Sequence, residues 1–136
     1  MDKLRLQIIS PKRVVFDGEC TMLEYTTSEG QVGVLPGHIA MTQVIEPGIL
    51  TIYEEGVEHP KKMAVHSGIS KVMPDLVMVL TETIELKEEI DVERAKKALD
   101  RANKRISEKA SNLDLDRARL ARRRAETRLY LAALEN

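Results

Sequence analysis

The sequence predicts a β + α chain, with a strand-rich domain in residues 1–86 followed by an antiparallel two-helix hairpin in residues 87–136. Three observations carry that prediction. All five Pro and all seven Gly fall before residue 90, and the rest of the chain has neither. Residues 1–90 hold 8 Lys/Arg against 14 Asp/Glu, whereas residues 91–136 hold 13 against 8, so the overall charge of −1 conceals an acidic part and a basic part. The apolar spacing changes near Leu86–Ile90 from every second residue to every third and fourth, the switch from strand to helix.

In the first part, Leu4, Leu6 and Ile8 alternate with Arg5 and Gln7, the pattern of a half-buried strand that ends at Ser10-Pro11. Val14-Val15-Phe16 reads as a second strand, closed by a turn at Asp17-Gly18. Cys20 to Thr27 reads as a third, ending at Ser28-Glu29-Gly30. Ile49 to Tyr53 and Lys62 to His66 flank a turn-rich piece with Glu55-Gly56 and Pro60. Ile69 to Val72 and Leu76 to Thr83 are separated by Met73-Pro74-Asp75. Short strands with turns every 8–12 residues suggest a sandwich or a barrel.

In the second part, Val92, Ala95, Leu99, Ala102 and Ile106 follow the 3, 4, 3, 4 spacing of a helical seam. Leu115, Ala118, Ala125, Leu129 and Ala132 repeat it, with Arg122 in the missing seam position. Ser107 to Asn112 reads as a polar connector. The Ala residues allow close approach but bury little area, so a hairpin of this kind needs something else to lean on.

Several functions are disfavoured. Cys20 is alone, which excludes an internal disulfide framework and points to a reducing compartment. Met1 to Arg5 lack the apolar run of a signal peptide, and no stretch approaches 18 apolar residues. The absence of Trp, with one Phe and three Tyr, leaves few stacking platforms for single-stranded nucleic acid. A basic hairpin on a β scaffold is still the composition of a nucleic-acid binder, and that is the alternative reading. His38, His59, His66 and Cys20 show no metal-ligand spacing, and His59 and His66 read as ordinary strand or turn residues. No nucleophile motif and no Gly-rich phosphate loop is present.

Two phrases carry chemistry. Ile90-Asp91-Val92-Glu93-Arg94-Ala95 places Asp91 at a helix N-cap and Arg94 one turn on, and Leu113-Asp114-Leu115-Asp116-Arg117-Ala118 repeats it 23 residues later. A helix start with bare N–H groups and a nearby Arg suits an anion, and it is also a plain cap. Arg94 and Arg101 share a face of the first helix, and Arg124 and Arg128 share a face of the second. Folded as a hairpin, the four guanidiniums would converge, and an anion such as phosphate would relieve their repulsion. The competing reading is a solvated face with pairs such as Glu93 to Lys97. Separately, Glu29-Gly30-Gln31-Val32-Gly33-Val34-Leu35-Pro36-Gly37-His38 packs three Gly and one Pro into ten residues. It reads as a tight corner of the β-domain and as a rigid loop that could dock a partner.

That corner, the Pro47-Gly48 that follows, and the order of sandwich then Ala-rich hairpin resemble the epsilon-subunit family of F-type ATP synthases along the whole chain. The resemblance implies a β-sandwich of about ten strands on the rotary central stalk, bound to gamma and the c ring. Glu29, Gln31 and His38 would lie in that contact region, although many relatives carry an acid where this chain has Gln31. It implies a non-catalytic subunit that couples rotation to synthesis and restrains ATP hydrolysis when its hairpin extends toward the alpha and beta subunits. Association with the cytoplasmic face of a bacterial membrane would come only through the complex, and no nucleic acid is implied. In bacillus-like members the folded hairpin binds ATP through an I/L-D-x-x-R-A motif, matched here by Ile90, Asp91, Arg94 and Ala95. The supporting residues fall on Glu85, Arg101, Arg124 and Arg128. ATP would act as a regulatory ligand, with or without magnesium.

Overall fold

In the computed structural model, which describes residues 3–108 and 112–134, eight strands precede two helices. The strands are β1 Leu4–Ile9, β2 Val14–Cys20, β3 Met22–Thr27, β4 Gly30–Val34, β5 Met41–Ile45, β6 Gly48–Tyr53, β7 Lys61–Val72 and β8 Val77–Leu86. They run in the order β2-β1-β8-β7-β6-β3-β4, with β5 added on β7. Tyr25 of β3 donates its hydroxyl to Gln43 Oε1 of β5 at 2.6 Å, although these strands do not pair, so the sheet folds over itself into two layers. Between the layers lies one core that includes Leu6, Ile8, Leu23, Tyr25, Val34, Leu50, Ile52 and Val79, all essentially inaccessible. Area burial of these side chains is the main stabilising term of the unit.

Among the described residues the strand count is eight, not about ten. Two segments read as separate strands, Lys62 to His66 and Ile69 to Val72, are halves of the single β7. Asp17-Gly18 is not a turn: both residues lie within β2, opposite Gln7 and Leu6. The break falls instead at Thr21, so Cys20 closes β2 and does not open β3. The Gly-rich stretch from Glu29 to His38 is not one loop, since Gly30–Val34 forms β4. There Val32 and Val34 alternate inward against Tyr25 and Leu23.

Strand β7 stays continuous across Ser67-Gly68 because the ladder with β8 accommodates one extra residue on each side. Val65 pairs with Ile84, Ser67 with Thr83 and Gly68 with Thr81, leaving His66 and Glu82 outside the register. The Thr81 hydroxyl fastens this bulge by donating to the Ser67 carbonyl at 2.5 Å. Gly68 is required there: a Cβ would stand 2.7 Å from the Leu80 carbonyl oxygen.

After β8 a single 3-10 turn, Lys87–Glu89, leads to α1 Val92–Ser107, and α2 Asn112–Ala133 returns against it. Asp91 caps α1, accepting from the Arg94 backbone N–H at 3.1 Å. Asp114 holds no matching place: α2 already begins at Asn112, so Asp114 sits within the first turn. Half of the expected connector, residues 109–111, lies outside the described residues. The seam is built on Ala95, Ala102, Ala118 and Ala125, each at most 2% exposed. Glu93 pairs with Lys96 at 3.6 Å, one position short of the expected Lys97.

Candidate functional site

The hairpin leans on the sandwich through the C-terminal half of α2. Ala64 and His66 of β7 face away from the core, yet both are buried, because α2 covers them. Leu131 is buried at the same contact although it lies off the Ala seam. Beyond it, the Lys87 ammonium donates to the Leu134 carbonyl. At the centre of the contact is one carboxylate oxygen. Glu85 Oε1, on β8, accepts from His66 Nε2 at 2.7 Å and from Arg128 Nε of α2 at 2.6 Å. Burial alone would raise the Glu85 pKa, but the hydrogen bonds from Arg128 and His66 overcome it and hold the carboxyl below its ordinary range. His66 is pushed the other way. Burial lowers its pKa, the Glu85 bond opposes that, and the charges of Arg128 and Arg124 add to the lowering.

Beside this junction, where β8 hands over to α1, a cleft of about 340 Å³ opens between hairpin and sandwich. Its walls are Glu85, Glu89, Asp91, Arg94, Ala95, Ala98, Arg101 and Arg128. Three acids and three arginines look balanced, but their states differ. Glu85 is engaged as described. Glu89 accepts from Arg13 Nη2 at 2.7 Å and from the Leu86 N–H at 2.8 Å. Asp91 is the helix cap. Among the described residues, neither Arg94 nor Arg101 has an ion-pair partner, and both are exposed. The free capacity of the cleft is therefore cationic, set against the N-terminal turn of α1, and suited to a polyanion.

Of the eight residues predicted for this site, the fold brings Glu85, Asp91, Arg94, Ala95, Arg101 and Arg128 to one cleft. Ile90 and Arg124 do not line it. Arg124 is turned toward the sheet, with a buried Nε that has no hydrogen-bond partner among the described residues. Glu89 and Ala98 were not predicted. Ala98 was available from helix-face arithmetic, lying seven residues from Asp91 and four from Arg94; Glu89 was not, since its role depends on Arg13, 76 residues away.

The expected partner-contact residues are spread along one edge. Glu29 sits at the β3–β4 turn and Gln31 is exposed on β4. His38 lies beyond the opposite end of β4, in a turn where its N–H reaches the Leu35 carbonyl at 3.2 Å and Gly37 has φ +81°. A different face is more apolar. Val44 pairs with Ile69, Ile69 with Leu80, Leu80 with Ile9, and Ile9 with Val14, so five side chains cross five strands on the outer surface. Val44 is 67%, Ile69 43%, Leu80 38% and Val14 61% exposed. A contiguous outer row of this kind marks an interaction surface.

Nothing else in the described residues resembles a reaction centre. No group of three or more His, Cys, Asp or Glu among them could hold a metal ion. The buried Cys20 thiol is pushed up to about 11, first by burial and then by the charge of Glu54, so it is no nucleophile.

A sandwich carrying a docked helical hairpin, with an arginine-lined cleft between them, defines a two-domain chain. Its halves match, in order, two domain descriptions of one family: "ATP synthase, Delta/Epsilon chain, beta-sandwich domain" over residues 3–87 and "ATP synthase, Delta/Epsilon chain, long alpha-helix domain" over residues 88–133. The chain belongs to the ATP synthase delta/epsilon chain family. It is 37% identical over 133 residues to the ATP synthase epsilon chain of Halalkalibacterium halodurans, covering 97% of this chain and 98% of that one. To the epsilon chain of Moorella thermoacetica it is 39% identical, with the same coverage. Among solved structures, a chain of the Euglena gracilis mitochondrial ATP synthase superposes with a TM-score of 0.83 at 26% identity, over 99% of this chain and 83% of that chain. A chain from the central stalk and c ring of the Tetrahymena thermophila enzyme shares the fold, with a TM-score of 0.72 at 12% identity over 96% of this chain and 97% of that chain.

Proposed function

We propose that the chain is a non-catalytic rotor subunit of a bacterial proton-translocating F-type ATP synthase, and that ATP bound in the cleft holds its hairpin against the sandwich. The sandwich docks on gamma and the c ring, with the row from Val44 to Val14 as its apolar contact. Released, the basic hairpin reaches the alpha and beta subunits and restrains wasteful hydrolysis. The subunit reaches the cytoplasmic face of the membrane through the complex; among the described residues no helix is long and apolar enough to cross a membrane.

The observation that carries the nucleotide part is the pair of guanidiniums, Arg94 and Arg101, that have no ion-pair partner among the described residues, beside the engaged acids. A ligand that binds only the docked state stabilises it by RT ln(1 + [ATP]/Kd), so abundant ATP keeps the hairpin down and scarcity frees it. Calorimetric titration of the full chain with ATP, with and without magnesium, tests this. One-site binding that weakens at least tenfold in Arg94→Ala and Arg101→Ala is expected. Binding unchanged in both variants, or none at millimolar ATP, removes the nucleotide role and leaves these arginines to protein partners.

A further inference from the structure

We propose that His66 is a proton sensor of hairpin docking: protonating its buried imidazole, which faces Glu85 of β8 and Arg124 and Arg128 of α2, favours release of the hairpin from the sandwich. The inference rests on the hairpin being mobile, as read above, and not on nucleotide binding.

The geometry fixes the tautomer. Glu85 Oε1 is an ionised acceptor 2.7 Å from His66 Nε2, so Nε2 carries the proton. In the neutral ring Nδ1 is then bare, and it is buried without a hydrogen-bond partner among the described residues. A bare ring nitrogen is tolerable in such a place. A second N–H is not, because it would be a buried donor with no acceptor. It would also bring a positive charge to a site that already holds two permanent ones. Arg128 donates to the same Glu85 oxygen at 2.6 Å, and the Nε of Arg124 is itself buried without a hydrogen-bond partner among the described residues. One carboxylate would face three cations. When α2 leaves, His66 meets water, loses both arginines and keeps Glu85 on the neighbouring strand, a setting that favours the imidazolium.

The direction follows from linkage. The lowering of the His66 pKa belongs to the docked state, so the undocked state binds the proton more tightly. Docking is therefore at full strength above the undocked pKa and weakens as pH falls below it, by up to about tenfold per pH unit. Glu85, held below its ordinary range, stays ionised through this window and does not contribute. By reciprocity, anything that holds the hairpin down expels the proton.

The test places a dye pair on the full chain through Ser28→Cys and Ala133→Cys; Cys20, 1% exposed, is not labelled. Energy transfer is followed from pH 7.5 to 5 without nucleotide. The expected result is a docking constant that falls as pH drops, by up to about tenfold per pH unit, and a flat profile in His66→Gln, whose amide can donate to Glu85 but does not titrate. A flat wild-type profile, or the same slope in His66→Gln, overturns the proposal. Should His66→Gln fail to dock, the wild-type imidazole is titrated by NMR alongside Arg124→Met/Arg128→Met. A rise in the His66 midpoint in the double variant supports the proposal, and an unchanged midpoint overturns it. Because ATP is absent throughout, a chain that binds no nucleotide would sink the reading of the cleft without touching this one.

Discussion

Replacing Arg128 with Met should loosen the hairpin by about 2 kcal/mol. Methionine keeps the aliphatic packing of the stem and removes the guanidinium that meets Glu85 Oε1 at 2.6 Å. The magnitude follows from burial. Fully exposed pairs contribute roughly 0.2–1 kcal/mol, and removing one partner of a fully buried pair costs about 3–5 kcal/mol. Arg128 and Glu85 retain 28% and 23% of their side-chain exposure, between those limits and nearer the buried one. Glu85 also keeps its His66 donor, which spares it complete isolation and argues against the upper figure. A loss of about 2 kcal/mol is roughly 30-fold in the docking constant. Native-state hydrogen exchange of the α2 amides from Ala118 to Leu131 reads that constant directly. A double-mutant cycle with Glu85→Gln separates the pair from lost packing, and a coupling of about 1–2 kcal/mol is expected. Coupling below about 0.5 kcal/mol, the level of a solvated pair, would refute the argument that this contact holds α2 to the sheet.

Two further outcomes follow from the fold. Gly68→Ala should destabilise the sandwich by about 1–3 kcal/mol in chemical denaturation, since the new Cβ would meet a backbone oxygen at 2.7 Å that no side-chain rotation can move; a change under about 0.5 kcal/mol would mean the bulge is softer than its geometry implies. Val44→Lys with Ile69→Glu should leave the melting temperature of the free chain nearly unchanged, because both side chains are largely exposed and the new charges pair across the strands, while reducing co-purification with gamma by tenfold or more. Full retention of assembly would assign the contact to another face.

The parts legible in the sequence are those whose signal is local. The alternation from Leu4 to Ile8 and the Ala seam from Ala95 to Ala125 each repeat a period set by one element, and both elements form as read. Strand β4 was hidden because Gly30 and Gly33 dominate a segment whose register is carried by only Val32 and Val34. Strand β5 was hidden because Met41 to Ile45 follows so closely on Pro36-Gly37. The halves of β7 read as two segments because Ser67-Gly68 interrupts the apolar pattern, whereas Gly68 serves a close backbone approach. The cleft was half legible for the same reason. Helix-face arithmetic places Asp91, Arg94, Ala95 and Arg101 together, but it cannot tell whether Arg124 or Arg128 turns into the cleft, since that depends on how α2 rolls against β7. His66 looked like an ordinary strand residue, and on the strand it is one. Its partners stand 19 residues away on β8 and on a helix beyond that, where no sequence window reaches.

The paired irregularity in β7 and β8 also says how the chain could change over time. The ladder is regular on either side of it: remove His66 and Glu82 together, and Val65, Ser67 and Gly68 run without a gap against Ile84, Thr83 and Thr81. Inward and outward faces would keep their present occupants, so a matched double deletion is a silent edit to the scaffold. Deleting His66 alone would slip β7 by a step, turning Ile69 and Lys71 toward the core and exposing Ser70 and Val72, and deleting Glu82 alone would do the same to Leu80 and Val79 of β8. The contact between sheet and hairpin at His66 is thus carried by a residue that the regular ladder of the domain does not need.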